Sequence, residues 1–77
     1  MMRDPIKTLI EEIKQLGARR VFVGISEVSD KMCAIAGLSE KPQDVVQTGG
    51  HDSTVTALVE LYSIVERHFE AKREAVQ

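Results

Sequence analysis

The chain has 77 residues, of which 43% are hydrophobic, and its formal net charge is −2, from 10 Lys and Arg against 12 Asp and Glu. This hydrophobic content is typical of a folded globular protein and argues against intrinsic disorder. The charge balance is neither the basic footprint of a nucleic-acid binder nor an acidic tail. The length suits a single domain, residues 1–77, whose core is marginal in size.

The sequence offers few side chains for a disulfide or a metal site. Cys33 is the single cysteine, so no disulfide can form within the chain, and Cys33, His51 and His68 are too few for a structural zinc site. We therefore expect no metal and no cofactor, and oligomerisation as the source of the missing stability. Residues 1–5 contain no apolar signal segment and no run is long enough to cross a membrane, so a cytoplasmic location is expected.

An amphipathic helix is predicted near the start of the chain. Asp4 suits the N-cap position, and Pro5 suits the first helical position because its missing N–H would have had no partner there. Gly17 is expected to end the helix in a left-handed conformation. Apolar residues recur at steps of three and four between these ends and predict one buried stripe. The stripe consists of Ile6, Leu9, Ile10, Ile13 and Leu16.

Two strands and a third, shorter one are predicted in the middle of the chain. Residues 20–28 form an apolar run rich in β-branched side chains, in which Gly24 marks a bulge or a close approach of another backbone. Residues 29–30 fit a turn, and residues 31–38 fit the returning strand of a hairpin. Residues 44–48 fit a short edge strand.

The second strand also fits a helix. Ser29 would cap that helix, and residues 36–39 would resemble the turn of a helix-turn-helix, with residues 39–47 as the recognition helix. Against this alternative, Pro42 falls inside the recognition helix, and Lys41 is its only cation, whereas phosphate contacts dominate affinity for DNA. DNA binding is therefore the third hypothesis for function, and nucleic acid is not an expected partner.

The longest predicted element is a helix over residues 53–74. Its apolar residues form two stripes about 120° apart, which indicates packing on two partners. We assign the first stripe to the hairpin and the first helix. The second should face water in a monomer and form a homo-oligomer interface through Leu61, Ile64 and His68. The first stripe contains Val55, Leu58, Tyr62, Val65 and Phe69, the second contains Ala57, Leu61, Ile64, His68 and Ala71, and the charged side contains Glu60, Arg67, Glu70 and Glu74.

The candidate ligand site is the loop that precedes this helix. Two glycines open directly onto a helix N-terminus, which presents free N–H groups and a partial positive charge and is capped by Asp52 or Ser53. A phosphate or nucleotide is the ligand that this arrangement suits, although the loop lacks the Lys of a P-loop. A plain connector with an ordinary cap has the same features. The expected ligand-binding residues are Thr48, Gly49, Gly50, His51, Ser53 and Thr54.

These elements predict an α+β fold in the order α-β-β-(β)-α, with both helices packed on one face of a short antiparallel sheet. No spacing brings Cys33, His51 and Asp52 together as nucleophile, base and orienting acid, so no catalytic residue and no enzyme activity are expected. The leading functional hypothesis is a small regulator that binds or inhibits another protein and forms a homo-oligomer. The alternative is a binder of a phosphate-bearing small molecule.

Overall fold

The computed structural model describes residues 4–76. These residues form two helices and a three-stranded sheet, which confirms the predicted α+β class and element order. The elements are α1 (Pro5–Leu16), β1 (Arg20–Ile25), β2 (Met32–Gly37), β3 (Val45–Gln47) and α2 (Thr54–Val76). Neither helix, over these residues, combines the length and the apolar character needed to cross a membrane.

The ends of α1 have the chemistry that the sequence predicts. Asp4 Oδ1 accepts hydrogen bonds from the N–H groups of Ile6 and Lys7 at 3.0 and 3.5 Å, and Pro5 is the first helical residue. Gly17 ends the helix with φ of 129° and donates its N–H to Lys14. A Cβ atom at Gly17 would lie 2.9 Å from the Phe69 ring, so the glycine also allows α2 to pass closely.

The sheet is an antiparallel meander in the order β1-β2-β3. Residues 32–37 are therefore strand rather than helix, one residue shorter at each end than predicted, and the helix-turn-helix arrangement is wrong. The physical reason is that β2 lies between two neighbouring strands that satisfy its backbone groups on both sides, which outweighs the weak strand propensity of its Ala and Met residues. The first strand ends at Ile25 rather than at Val28, because residues 27–29 form the turn. Gly24 pairs regularly with Cys33 and forms no bulge.

Both helices cover one face of the sheet. Alternate strand residues point into the core, where the central strand contributes two fully buried alanines, Ala34 and Ala36. Small side chains at these positions, with Ala57 on α2, allow the long helix to lie close to the sheet. The fully buried large side chains of this core are Ile13, Leu58, Leu61 and Val65.

The expectation that Leu61 would face water in the monomer is wrong, since its side chain is 0% exposed. The two partners predicted for α2 are both in the same chain, because α2 packs against α1 on one side and against β2 on the other. Its buried face combines residues of both stripes, with Ala57 and Leu61 from one and Leu58 and Val65 from the other. Val55, assigned to the intrachain stripe, is instead exposed.

Candidate functional site

The loop between β3 and α2 is fastened to the central strand. The buried Thr48 Oγ1 accepts a hydrogen bond from the Ala34 N–H at 3.0 Å and donates one to the Gly49 carbonyl at 2.9 Å. The backbones of His51 and Met32 exchange two hydrogen bonds, both of 2.8 Å. Thr48 and His51 therefore hold the loop in an extended conformation against β2.

Glu60 connects this loop to α2. The sequence pattern assigns this residue to the charged side of the helix. Its Oε1 accepts a hydrogen bond from the Gly49 N–H at 3.0 Å and lies 3.1 Å from His51 Nε2. The hydrogen bond to His51, followed by the one from Gly49, lowers the pKa of the Glu60 carboxyl below its usual value. No feature of the sequence indicates this contact, because a charged residue on the polar side of a helix is ordinarily solvated.

The two glycines of the loop have different roles. Neither has a positive φ, since in residues 4–76 only Gly17 and Asp30 adopt one, so neither glycine is needed for a left-handed conformation. A Cβ atom at Gly50 would lie 2.6 Å from Lys31 Cβ, whereas one at Gly49 would meet nothing within 4 Å. The absence of a side chain at Gly50 therefore leaves the space that the Lys31 side chain occupies.

Lys31 forms an ion pair with Asp52 across the same loop. The hydrogen bond from Lys31, and then the charge of its ammonium group, lower the pKa of the Asp52 carboxyl. Ser53 rather than Asp52 caps α2, because Ser53 Oγ accepts a hydrogen bond from the Thr56 N–H at 3.1 Å. Thr54 is the first residue of the helix and is partly buried.

The chain thus uses for its own structure several of the donors that a phosphate would need. The Gly49 N–H is bonded to Glu60, the His51 N–H to Met32, and Asp52 adds a second carboxylate beside the loop. Two carboxylates repel an anion. The six predicted ligand residues do lie on one segment. We call this segment the loop clip, because its hydrogen bonds connect β2 to Glu60 on α2.

A second surface, which the sequence pattern does not reveal, is the face of the sheet opposite the helices. We call it the outer face; among residues 4–76 no helix packs on it. Phe22 is 57% exposed and Val45 46% exposed, and Ile35 lies between them on β2, partly buried. The outer face comprises Arg20, Phe22, Gly24, Cys33, Ile35, Gly37, Val45 and Gln47.

Arg20 lies flat on the outer face. A Cβ atom at Gly37, its cross-strand partner, would lie 2.7 Å from Arg20 Nε, so the absence of a side chain there makes room for the guanidinium group. Arg20 Nη2 is buried and donates to no acceptor in the described part of the chain. The Arg20 residue as a whole is only partly buried, so its positive charge remains available to a carboxylate of another molecule.

The remaining candidate residues lie apart from both surfaces. Ile64 and His68 are partly buried on α2, and their role in an interface stays a prediction. The His68 ring packs edge-to-face on Phe69, with centroids 5.0 Å apart. Cys33 is 8% exposed and belongs to the floor of the outer face rather than to the core under the helices. Within residues 4–76, no three His, Cys, Asp or Glu side chains form a group that could hold a metal ion.

Comparison with known proteins finds no family model, no curated protein and no solved structure that matches this chain. The functional argument therefore depends on the two surfaces described above.

Proposed function

We propose that this protein is a non-enzymatic interaction module that binds another protein on the outer face of its sheet. The observation that carries the proposal is the exposure of Phe22 and Val45 on the face of the sheet that the helices leave uncovered; Ile35 lies opposite Phe22, and Val45 lies opposite Gly37, one diagonal step from Ile35. A partner that covers these side chains buries apolar surface, which favours association. Aromatic residues such as Phe22 are also enriched at the centres of protein interfaces.

Phe22 is open to contact from one side on the outer face. Gly24 lies two residues along β1 from Phe22, and a Cβ atom placed there would meet nothing within 4 Å. The space beside the Phe22 ring is therefore open. Full burial of an exposed phenylalanine contributes about 1.5–3 kcal/mol, and Phe22 is 57% exposed, so a partner that covers the ring gains about half of this.

Arg20 supplies the polar part of this recognition. Its side chain is partly exposed and lies on the same face as Phe22. The partner that fits is thus a protein segment that presents an apolar side chain with a carboxylate beside it. Arginine recognises carboxylates through paired, directional hydrogen bonds, which would fix the orientation of that segment.

The phosphate-binding alternative has weaker support, because Glu60 already occupies the Gly49 N–H and Asp52 lies beside the loop. A thermal-shift titration with ATP separates the two functions. A ligand that binds only the folded protein raises its midpoint, so a saturable rise of several degrees would favour the loop. No shift is expected if the outer face is the functional surface.

The outer face is tested by site-specific photo-crosslinking in the cells of origin. A benzoylphenylalanine in place of Phe22 should capture a defined protein other than a second copy of this chain, and the same group in place of Val59 on α2, which is 50% exposed, should not. Titration of the purified partner then compares Phe22→Asp, Val45→Asp and Arg20→Ala with the control Val59→Asp. The first three should each weaken binding at least about tenfold, which corresponds to about 1.4 kcal/mol.

Two results would overturn the proposal. One is capture of the same proteins from positions 22 and 59, or of none from position 22. The other is unchanged affinity for Phe22→Asp and Val45→Asp in variants whose far-UV circular dichroism matches the wild type.

A further inference from the structure

The free edge of the sheet along β1 is open to another strand. Ser26 donates its N–H to the Lys31 carbonyl at 2.8 Å, which makes this residue pair a hydrogen-bonded pair of the β1–β2 ladder. Such pairs alternate along an antiparallel ladder, so the backbone groups of Val21, Val23 and Ile25 point away from β2. No loop, turn or helix bond within residues 4–76 involves these groups.

The two edges of the sheet differ in how well they resist pairing. The edge strand β3 has three residues, and short edges are a common protection against association. The edge strand β1 has six residues, contains no proline and no bulge, and is apolar from Val21 to Val23. A strand of that kind is a template for β-sheet extension.

We propose that β1 pairs antiparallel with β1 of a second copy of this chain, about a two-fold axis at Val23. In this register Val21 lies opposite the partner's Ile25, so all three outward-pointing residues are opposed and about six interchain hydrogen bonds form. Phe22 lies opposite the partner's Gly24. An aromatic ring over a glycine is a favourable cross-strand pair, and the open space at Gly24 accommodates it.

Charge on the two ends of β1 selects this antiparallel arrangement. Arg19 and Arg20 stand at its start, and Glu27 and Asp30 follow its end. Antiparallel pairing places the basic end of each copy beside the acidic end of the other, with Arg19 opposite the partner's Glu27. Parallel pairing would place like charges together, which is unfavourable.

The pairing joins two outer faces into one, with both Phe22 rings near its centre. The inference thereby extends the proposed function, although the dimer can be tested without any other partner. The variants that test the dimer change residues away from the outer face. Val45→Asp is the control variant, because it changes the outer face and leaves β1 unaltered. That variant should lose partner binding and keep the dimer, so failure of one proposal is distinguishable from failure of the other.

Sedimentation velocity from micromolar to submillimolar concentration is the decisive experiment. The wild type should reach twice the 8.6 kDa mass of one chain. Arg19→Glu and Glu27→Arg should each raise the dimer dissociation constant about fivefold, since exposed ion pairs are individually weak. The double charge swap should restore it to within about twofold, because opposite charges again face each other. Both side chains are exposed, so folding should be unaffected.

A backbone variant tests the strand pairing itself. Ile25→Pro removes an N–H that points away from β2 and a side chain that is 64% exposed, so intrachain bonding is retained. It should raise the dissociation constant at least about tenfold with unchanged circular dichroism. A wild-type chain that stays monomeric throughout, an Ile25→Pro variant that dimerises normally, or a charge swap that fails to restore a weakened dimer would overturn the inference.

Discussion

Truncation of Ile13 to alanine tests whether α1 belongs to the core. The side chain is 0% exposed and packs in the cluster between the helices and the sheet. The substitution removes three carbon groups, worth about 0.8 kcal/mol each in transfer free energy, and leaves a cavity that the surroundings fill only in part. We expect a loss of about 2.5–4 kcal/mol. A chain of 77 residues has about 4–12 kcal/mol of total stability, so the loss is a large fraction of it.

Urea unfolding followed by circular dichroism at 222 nm measures this loss. With a slope near 1 kcal/mol per molar urea, the midpoint should fall by about 2.5–4 M. Ile10→Ala is the matched control, because Ile10 is only partly buried and should lose less. If Ile13→Ala does not fold, Ile13→Val should still lose about 1 kcal/mol. Measurements at two protein concentrations separate the stability of the fold from that of a dimer.

A loss below about 1 kcal/mol for Ile13→Ala would refute the reasoning, since a fully buried isoleucine cannot be truncated so cheaply if its site is well packed. It would mean that α1 is peripheral to the cooperative unit.

Three further predictions concern the glycines and the loop clip. Gly17→Ala should lower the thermal midpoint by about 5–15 °C, because it forces a positive φ on alanine and brings Cβ within 2.9 Å of Phe69. In urea unfolding, Gly50→Ala should lose about 1–3 kcal/mol through overpacking, whereas Gly49→Ala should stay within about 0.5 kcal/mol of wild type. The folded pKa of Glu60 lies below its usual value, so its stabilising contribution is present above the pKa of an unfolded glutamate and is lost as pH falls through the folded pKa; Glu60→Gln should therefore reduce the loss of stability on acidification.

The controls for these predictions come from the same chain. Gly24→Ala introduces a methyl group into open space at a normal φ, and should leave the thermal midpoint within a few degrees of wild type. Equal losses for Gly17→Ala and Gly24→Ala would contradict the steric argument. Asp52→Asn should also reduce the loss of unfolding free energy on acidification, because the pKa of Asp52 is lowered as well. If the free energy of unfolding falls with decreasing pH as steeply in the Glu60 and Asp52 variants as in the wild type, other carboxyl groups control the acid dependence of stability.

Much of the fold could be read from short-range chemistry. The cap at Asp4, the helix end at Gly17 and the cap at Ser53 are local interactions between neighbours in the chain, and the structure contains all three. The strand over residues 32–37 could not be decided in this way, because its backbone partners lie on β1 and β3 and are distant in sequence.

The candidate site shows the same division more sharply. The sequence indicated a glycine loop at a helix N-terminus, and that loop exists, but only the packing of α2 shows that Glu60 takes up its free N–H. Helical periodicity likewise identified the apolar side of α2, yet the direction of Leu61 depended on whether α1 and the sheet together cover both stripes.

What the sequence by itself determined is therefore the set of elements and their ends, since caps, turns and periodicity act over a few residues. Only the tertiary structure decided which apolar residues remain outside. Phe22 and Val45 have the same apolar character as Val21 and Val46, and strand register alone places the first pair on the outer face and the second pair under the helices. Because side chains of a strand alternate between two faces, a single shift in pairing would have exchanged them.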